Sequence, residues 1–112
     1  MPKDRAELAK ATYRAFAAAD RDAIEALIAP EFSFTSPADP QGLDRVGYFE
    51  RCWPGAGNVR EFEFARLVED GDEVLVTYEA TRADGSRFRN TEVLTFEGEQ
   101  QTRAEVYFGW DL

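Results

Sequence analysis

The apolar positions change period once along the chain. From Asp4 to about Ala19, the residues Leu8, Thr12, Ala15, Phe16 and Ala19 recur three and four apart, which predicts one helix face in an alanine-rich segment. Asp20 is a candidate N-cap for a second, short helix through Ala29, with Asp22 in its first turn. Pro30 should stop that helix, because the residue before a proline disfavours the α region. Glu31 to Thr35, with alternating Phe32 and Phe34, predicts a strand. The segment from Ser36 to Gly42 reads as a turn-rich loop. A third helix follows from about Leu43 to Trp53, carrying Val46, Phe49 and Trp53 on one side, and residues 54–58 end it.

In the second half the period falls to two. Three turn signals, Asp70-Gly71, Asp84-Gly85 and Gly98, divide it into four strands of an antiparallel meander. Helices first and a meander second, without repeats or a linker, imply a single α+β domain over residues 1–112. A two-residue turn at Asp70-Gly71 would set Leu67 opposite Val74 and Ala65 opposite Val76, so Val74, Val76, Tyr78 and Ala80 share the core face. At Asp84-Gly85, a three-residue loop Ala83-Asp84-Gly85 with a glycine bulge pairs that face with Phe88, Asn90 and Glu92, and the apolar Phe88, Leu94 and Phe96 favour it over a two-residue turn. The last strand then presents Ala104, Val106, Phe108 and Trp110 inward. Phe62 and Phe64 fall on the opposite face from Leu67 and Ala65. Either a bulge re-aims them, or with Leu75 they form an outer patch suited to a homodimer through the sheet.

Composition narrows the chemistry. A net charge of −9, from 13 basic and 22 acidic residues, disfavours nucleic acid and anionic membrane surfaces as partners. One cysteine, Cys52, allows no internal disulfide, and no signal-like or membrane-length apolar run is present, so the expected compartment is the cytoplasm. The chain contains no histidine. Zinc, haem and Ser-His or Cys-His catalysis lose their usual parts, so no metal or cofactor is expected, and any chemistry rests on carboxylates, hydroxyls, amides or arginine.

Tyr13-Arg14-Ala15-Phe16, the run from Asp20 through Ile24 and Leu27 to Pro30-Glu31-Phe32, Pro37, Gly42, Gly71-Asp72-Glu73-Val74 and Val106-Tyr107-Phe108-Gly109-Trp110 together resemble the nuclear transport factor 2-like superfamily. The likeness is to its small SnoaL-like and ketosteroid isomerase-like members, and it covers nearly the whole chain. It implies a cystatin-like cone of three N-terminal helices packed on a curved antiparallel sheet, open at one end and often dimeric through the sheet. Members include isomerases, polyketide cyclases, dehydratases, epoxide hydrolases and noncatalytic binding domains, so the fold assigns no reaction. In the ketosteroid isomerases a carboxylate before the proline that ends the first strand moves the substrate proton, and Ser36 stands there in this chain. Their neutral acid on the penultimate strand is matched by Glu92. Their helix-one tyrosine is matched loosely by Tyr13, displaced by about one position, which leaves its direction open. The histidine of the dehydratases is missing, and no Asp-Arg-Asp trio like that of the epoxide hydrolases falls on the inner face.

Glu92 is the candidate catalytic residue: desolvation among apolar neighbours would raise its pKa and make it an acid or hydrogen-bond donor, the bland alternative being an ion pair with arginine. Asn90 and Tyr78 beside it would orient a carbonyl or hydroxyl. Phe16, Phe34, Phe49, Trp53, Phe108 and Trp110, with Val76 and Val106, are the candidate substrate-binding walls, or simply core. Ser36 and Asp39 fit turn or cap roles, with Asp39 a substitute base if its loop turns inward, and Cys52 fits packing. Two functions follow: a pocket for a small hydrophobic, oxygen-bearing molecule, serving a cofactor-independent cyclase or isomerase, or a noncatalytic binding or dimerisation module. An open cavity with an unpaired carboxyl favours the first, a filled cone with an ion-paired Glu92 the second.

Overall fold

An aspartate starts each helix of the computed structural model, which describes residues 4–112. The Asp4, Asp20 and Asp44 carboxylates accept from the backbone N–H of Glu7, Ala23 and Gly47 at 2.8, 3.1 and 2.8 Å, satisfying first-turn donors that a helix cannot satisfy itself. The helices are α1 (Arg5–Ala17), α2 (Arg21–Leu27) and α3 (Arg45–Arg51). The second is shorter than the sequence predicts, because strand β1 (Ile28–Ser36) begins before Pro30. The proline falls in a stretch where the ladder to the neighbouring strand is interrupted, so its missing N–H costs no ladder bond. Asp39–Asp44, expected as part of a loop and a helix start, forms a short edge strand β2. The third helix ends early in a 3₁₀ turn, Trp53–Gly55, around Pro54. Val46 is exposed and does not share an inner face with Phe49 and Trp53.

Strands β3 (Val59–Asp70), β4 (Glu73–Arg82), β5 (Arg87–Glu97) and β6 (Gln100–Asp111) form the expected meander, and the six strands lie in the order β2-β1-β6-β5-β4-β3. The sheet is not wholly antiparallel, since β1 pairs with β6 in parallel. That pairing brings the helical half of the chain onto the meander and closes one sheet under the three helices.

Two of the bulges overturn the faces that alternation predicts. The β3–β4 turn is Gly71-Asp72, with Gly71 at φ 63°, and it sets Leu67 opposite Val76 instead of Val74. Phe64 pairs with Tyr78 and Arg66 with Thr77, leaving Ala65 unpaired. Inserting one residue inverts the alternation, so Phe62 and Phe64 join Leu67 on the inner face and Ala65 is exposed. The outer patch built on Phe62 and Phe64 therefore does not exist. At β4–β5 the three-residue loop holds: Arg82 N–H donates to Ser86 O at 2.8 Å, Gly85 has φ 88°, Val76 faces Glu92 and Tyr78 faces Asn90. The second bulge corrects the end of the last strand. Asn90 pairs with Phe108 but Arg89 with Trp110, so Gly109 is the extra residue and Trp110 turns to the outer face, 63% exposed and near the Arg89 guanidinium. Only glycine fits at 109, because a Cβ there would collide with the Arg89 carbonyl.

The core lies between the inner sheet face and the helices, with Leu8, Ala9, Ile24, Ile28, Val74, Val76, Leu94 and Phe96 almost fully buried. No helix among the described residues is long and apolar enough to cross a membrane.

Candidate functional site

The helices and sheet do not fill the space between them. A cavity of about 230 Å³ remains, walled by α1, α2, β1, α3 and the inner faces of β3 to β6. An apolar cavity of about 150 Å³ already accepts a benzene ring, so this one has room for a bicyclic molecule. Phe16, Phe34, Val106 and Phe108 stand at its wall as expected, and so do Tyr78, Asn90 and Glu92. Phe108 is mostly exposed, which places it at the mouth. Four expected wall residues lie elsewhere. Val76 is packed in the core, and Trp110 is turned away by the Gly109 bulge. The Phe49 ring is covered by the Arg21 guanidinium at 4.1 Å, on the outer side of α3, and Trp53 packs edge-on to Phe16 and Phe49 behind the wall.

Glu92 projects from the middle of β5 into this space. It is half-buried, and the surface it retains faces the cavity. Among the described residues no arginine or lysine pairs with it: Oε2 accepts from the Tyr78 hydroxyl at 2.6 Å. Burial is the dominant influence and pushes its pKa up, while the tyrosine hydroxyls, Tyr78 first and Tyr13 after it, pull it back. The tyrosines respond in the complementary sense. Burial, then the Glu92 charge, drives Tyr13 and Tyr78 well above the usual phenol range, so both remain neutral donors. Asn90 braces this pair. Its Oδ1 accepts from Gly109 N–H at 3.0 Å, which directs its Nδ2 toward the Tyr78 oxygen at 3.5 Å. The bulge that turns Trp110 out thus supplies the donor that orients Asn90.

Of the wall residues that were not expected, three bring polar groups that bear on the chemistry. Tyr13 is 6% exposed and points into the cavity, its hydroxyl facing Glu92 but without a partner in hydrogen-bonding geometry. The spacing Ala9, Tyr13, Phe16 carried that signal. Tyr48 lies on the inner face of α3 with Cys52, four residues on, a face obscured in the sequence by the neighbouring Phe49. Gln101, 4% exposed, lines the cavity with its Oε1 unpartnered, and nothing in the sequence distinguishes it from a polar residue after a turn.

Ser36 and Asp39 take structural roles. Ser36 Oγ accepts from Ala38 N–H at 3.2 Å, and Asp39, paired across the turn with Ser36, binds Arg51 Nε at 2.9 Å. Neither is at the cavity wall. Cys52 is at the wall, its thiol pushed up to about 11 by burial and by Asp39. No cluster of three or more His, Cys, Asp or Glu side chains suited to a metal ion occurs among the described residues.

Comparisons with known proteins agree with this architecture. A family model described as a SnoaL-like domain matches residues 9–104. Among curated proteins, none matches the chain significantly. A putative ketosteroid isomerase from Kribbella flavida superposes with a TM-score of 0.75 at 17% identity, covering 92% of this chain and 76% of that one. A putative polyketide cyclase from Sinorhizobium meliloti gives 0.73 at 21% identity, covering 89% and 93%. TerC, co-crystallised with polyporic acid, gives 0.71 at 20% identity, covering 92% and 89%. At these identities the likeness is one of fold.

Proposed function

The chain belongs to the SnoaL-like domain family, and from that premise we propose that its cavity binds a small, hydrophobic, oxygen-bearing molecule on which Glu92 acts as the proton-transfer group. The observation that carries this reading is a carboxyl group held inside an open cavity by a tyrosine and by no cation among the described residues. The described wall residues include no lysine or arginine, which disfavours anionic ligands beside Glu92. Similar folds include a putative ketosteroid isomerase, a putative polyketide cyclase and a protein crystallised with polyporic acid, so ring ketones and polyketide-like molecules are the class to try first.

The chemistry requires no cofactor. With Glu92 ionised, its carboxylate removes a proton from carbon α to a ligand carbonyl, while the electron pair moves to the carbonyl oxygen, where the Tyr13 hydroxyl donates a hydrogen bond. Return of the proton from Glu92 to the same or a neighbouring carbon completes an isomerisation; attack of the enolate carbon on a second carbonyl of the same molecule, whose oxygen takes the proton back from Glu92 to become a hydroxyl, would complete a cyclisation. Tyr78 and Asn90 act by fixing Glu92. Ser36 cannot serve as a second base, so one carboxyl does all the proton transfer.

The test is exchange of the carbon-bound α protons of 2-tetralone for deuterium, followed by NMR. Exchange above the buffer rate that is abolished by Glu92→Gln supports the reading. Exchange unaffected by that substitution, in a protein that binds the ketone, eliminates Glu92 as the acting group.

A noncatalytic binding module is the second reading. It is favoured by the internal satisfaction of the polar groups: Tyr78 is committed to Glu92, and Asn90 to Gly109. Ligand binding without any α-proton exchange would select it. Self-association through the outer sheet face, where Val68, Leu75, Tyr107 and Trp110 are exposed, belongs to either reading, and light scattering at a monomer mass would remove it.

A further inference from the structure

Among the described residues the cavity wall carries two buried polar atoms without a partner in hydrogen-bonding geometry, the Tyr13 hydroxyl and Gln101 Oε1, and they lie at different depths. The Tyr13 hydroxyl is beside Glu92, midway along β5, whose register partner on β6 is Val106. The Gln101 carboxamide belongs to the other end of the same strand pair, where Gln101 is opposite Phe96 and adjoins Ile28 on β1. Four residue steps along β5 take Glu92 to Phe96, about 13 Å of backbone. The wall between them, Leu94 and Ala104, is apolar.

A buried amide oxygen without a hydrogen-bond partner, as Gln101 Oε1 is, is costly and uncommon, and replacing the side chain by an apolar one of similar shape would remove that cost. The position is 4% exposed and at the wall of a cavity, so the missing partner can enter only from the cavity side. We propose that Gln101 is a second anchoring point of the pocket, recognising a hydroxyl at the far end of an uncharged bicyclic ligand whose near oxygen meets Tyr13 and Glu92. A hydroxyl both donates and accepts, so it satisfies the carboxamide whichever of its ends is presented. The inference rests on the small-molecule reading above and deepens it, from any oxygen-bearing hydrophobe to one with oxygens at opposite ends.

The test compares 2-naphthol with 2,6-dihydroxynaphthalene, which adds a hydroxyl at the opposite end of the same ring system. Affinities are measured by NMR titration against the unmodified protein and against Gln101→Met, which keeps the side-chain volume and removes the amide. The diol should bind about tenfold tighter than 2-naphthol to the unmodified protein, and the two should bind alike to the variant. In the unmodified protein the Gln101 side-chain amide resonances should move with the diol and not with 2-naphthol, a readout that stands even if the variant fails to fold. Equal binding of both naphthols, or a diol advantage that survives Gln101→Met, overturns the role of Gln101 and leaves the small-molecule reading intact. Failure of both to perturb any cavity resonance overturns both.

Discussion

The Tyr78 hydroxyl donates to Glu92 Oε2 at 2.6 Å from a strand position diagonal to it, Val76 being the residue directly opposite Glu92. The bond opposes burial: it stabilises the ionised carboxyl that the surroundings disfavour. Tyr78→Phe should therefore raise the Glu92 pKa further. It should also destabilise the fold by about 1–3 kcal/mol where Glu92 is charged, since one carboxyl oxygen loses its partner. A pH titration of the variant and chemical denaturation at neutral pH check both effects.

Stability should fall as Glu92 ionises. Its folded-state pKa lies above the unfolded value, so its favourable contribution is complete below the unfolded pKa of about 4.3 and is lost as pH rises through the folded one. Glu92→Gln, which cannot ionise, should be more stable than the unmodified protein above the folded pKa, with the difference closing toward pH 4. Denaturation curves across that range give the sign directly.

Gly109→Ala should be poorly tolerated. The added Cβ meets the Arg89 carbonyl oxygen, a backbone atom that cannot move without opening the β5–β6 ladder. A loss of about 1–3 kcal/mol is expected, as for other overpacked sites. The Asn90 side-chain amide signals should shift with it, because Gly109 N–H orients that group. Thermal unfolding and the NMR spectrum of the variant measure the two consequences.

Cys52 should alkylate slowly. With its thiol at about 11, thiolate is scarce at pH 8, and the side chain faces the cavity. Reaction with iodoacetamide should run well below the rate of a free thiol, and 2-naphthol should slow it further.

Much of this arrangement is legible in the sequence, and the exceptions share a cause. The pairing of Val76 with Glu92 and of Tyr78 with Asn90 follows from alternation and the Ala83-Asp84-Gly85 loop, so the acid at the cavity wall is readable before any coordinates. Alternation fails where a residue is inserted. Ala65 and Gly109 each invert the faces beyond them, which is why Phe62 and Phe64 lie inside and Trp110 outside. Nothing in composition marks Ala65 as a bulge, and Gly109 is marked only by being glycine. On the helices, Phe49 drew attention from Tyr48 although the chain turns Tyr48 inward. The parallel pairing of β1 with β6, which places Gln101 at the deep end, joins segments far apart in sequence and leaves no local signal.

The central claim is that Glu92 is a desolvated cavity acid, and the most direct measurement is the pH titration of its carboxyl carbon by NMR, assigned with Glu92→Gln. A midpoint clearly above the ordinary glutamate value of about 4.3 is the predicted result. A midpoint at or below that value would place Glu92 in water or against a cation, and would contradict the account.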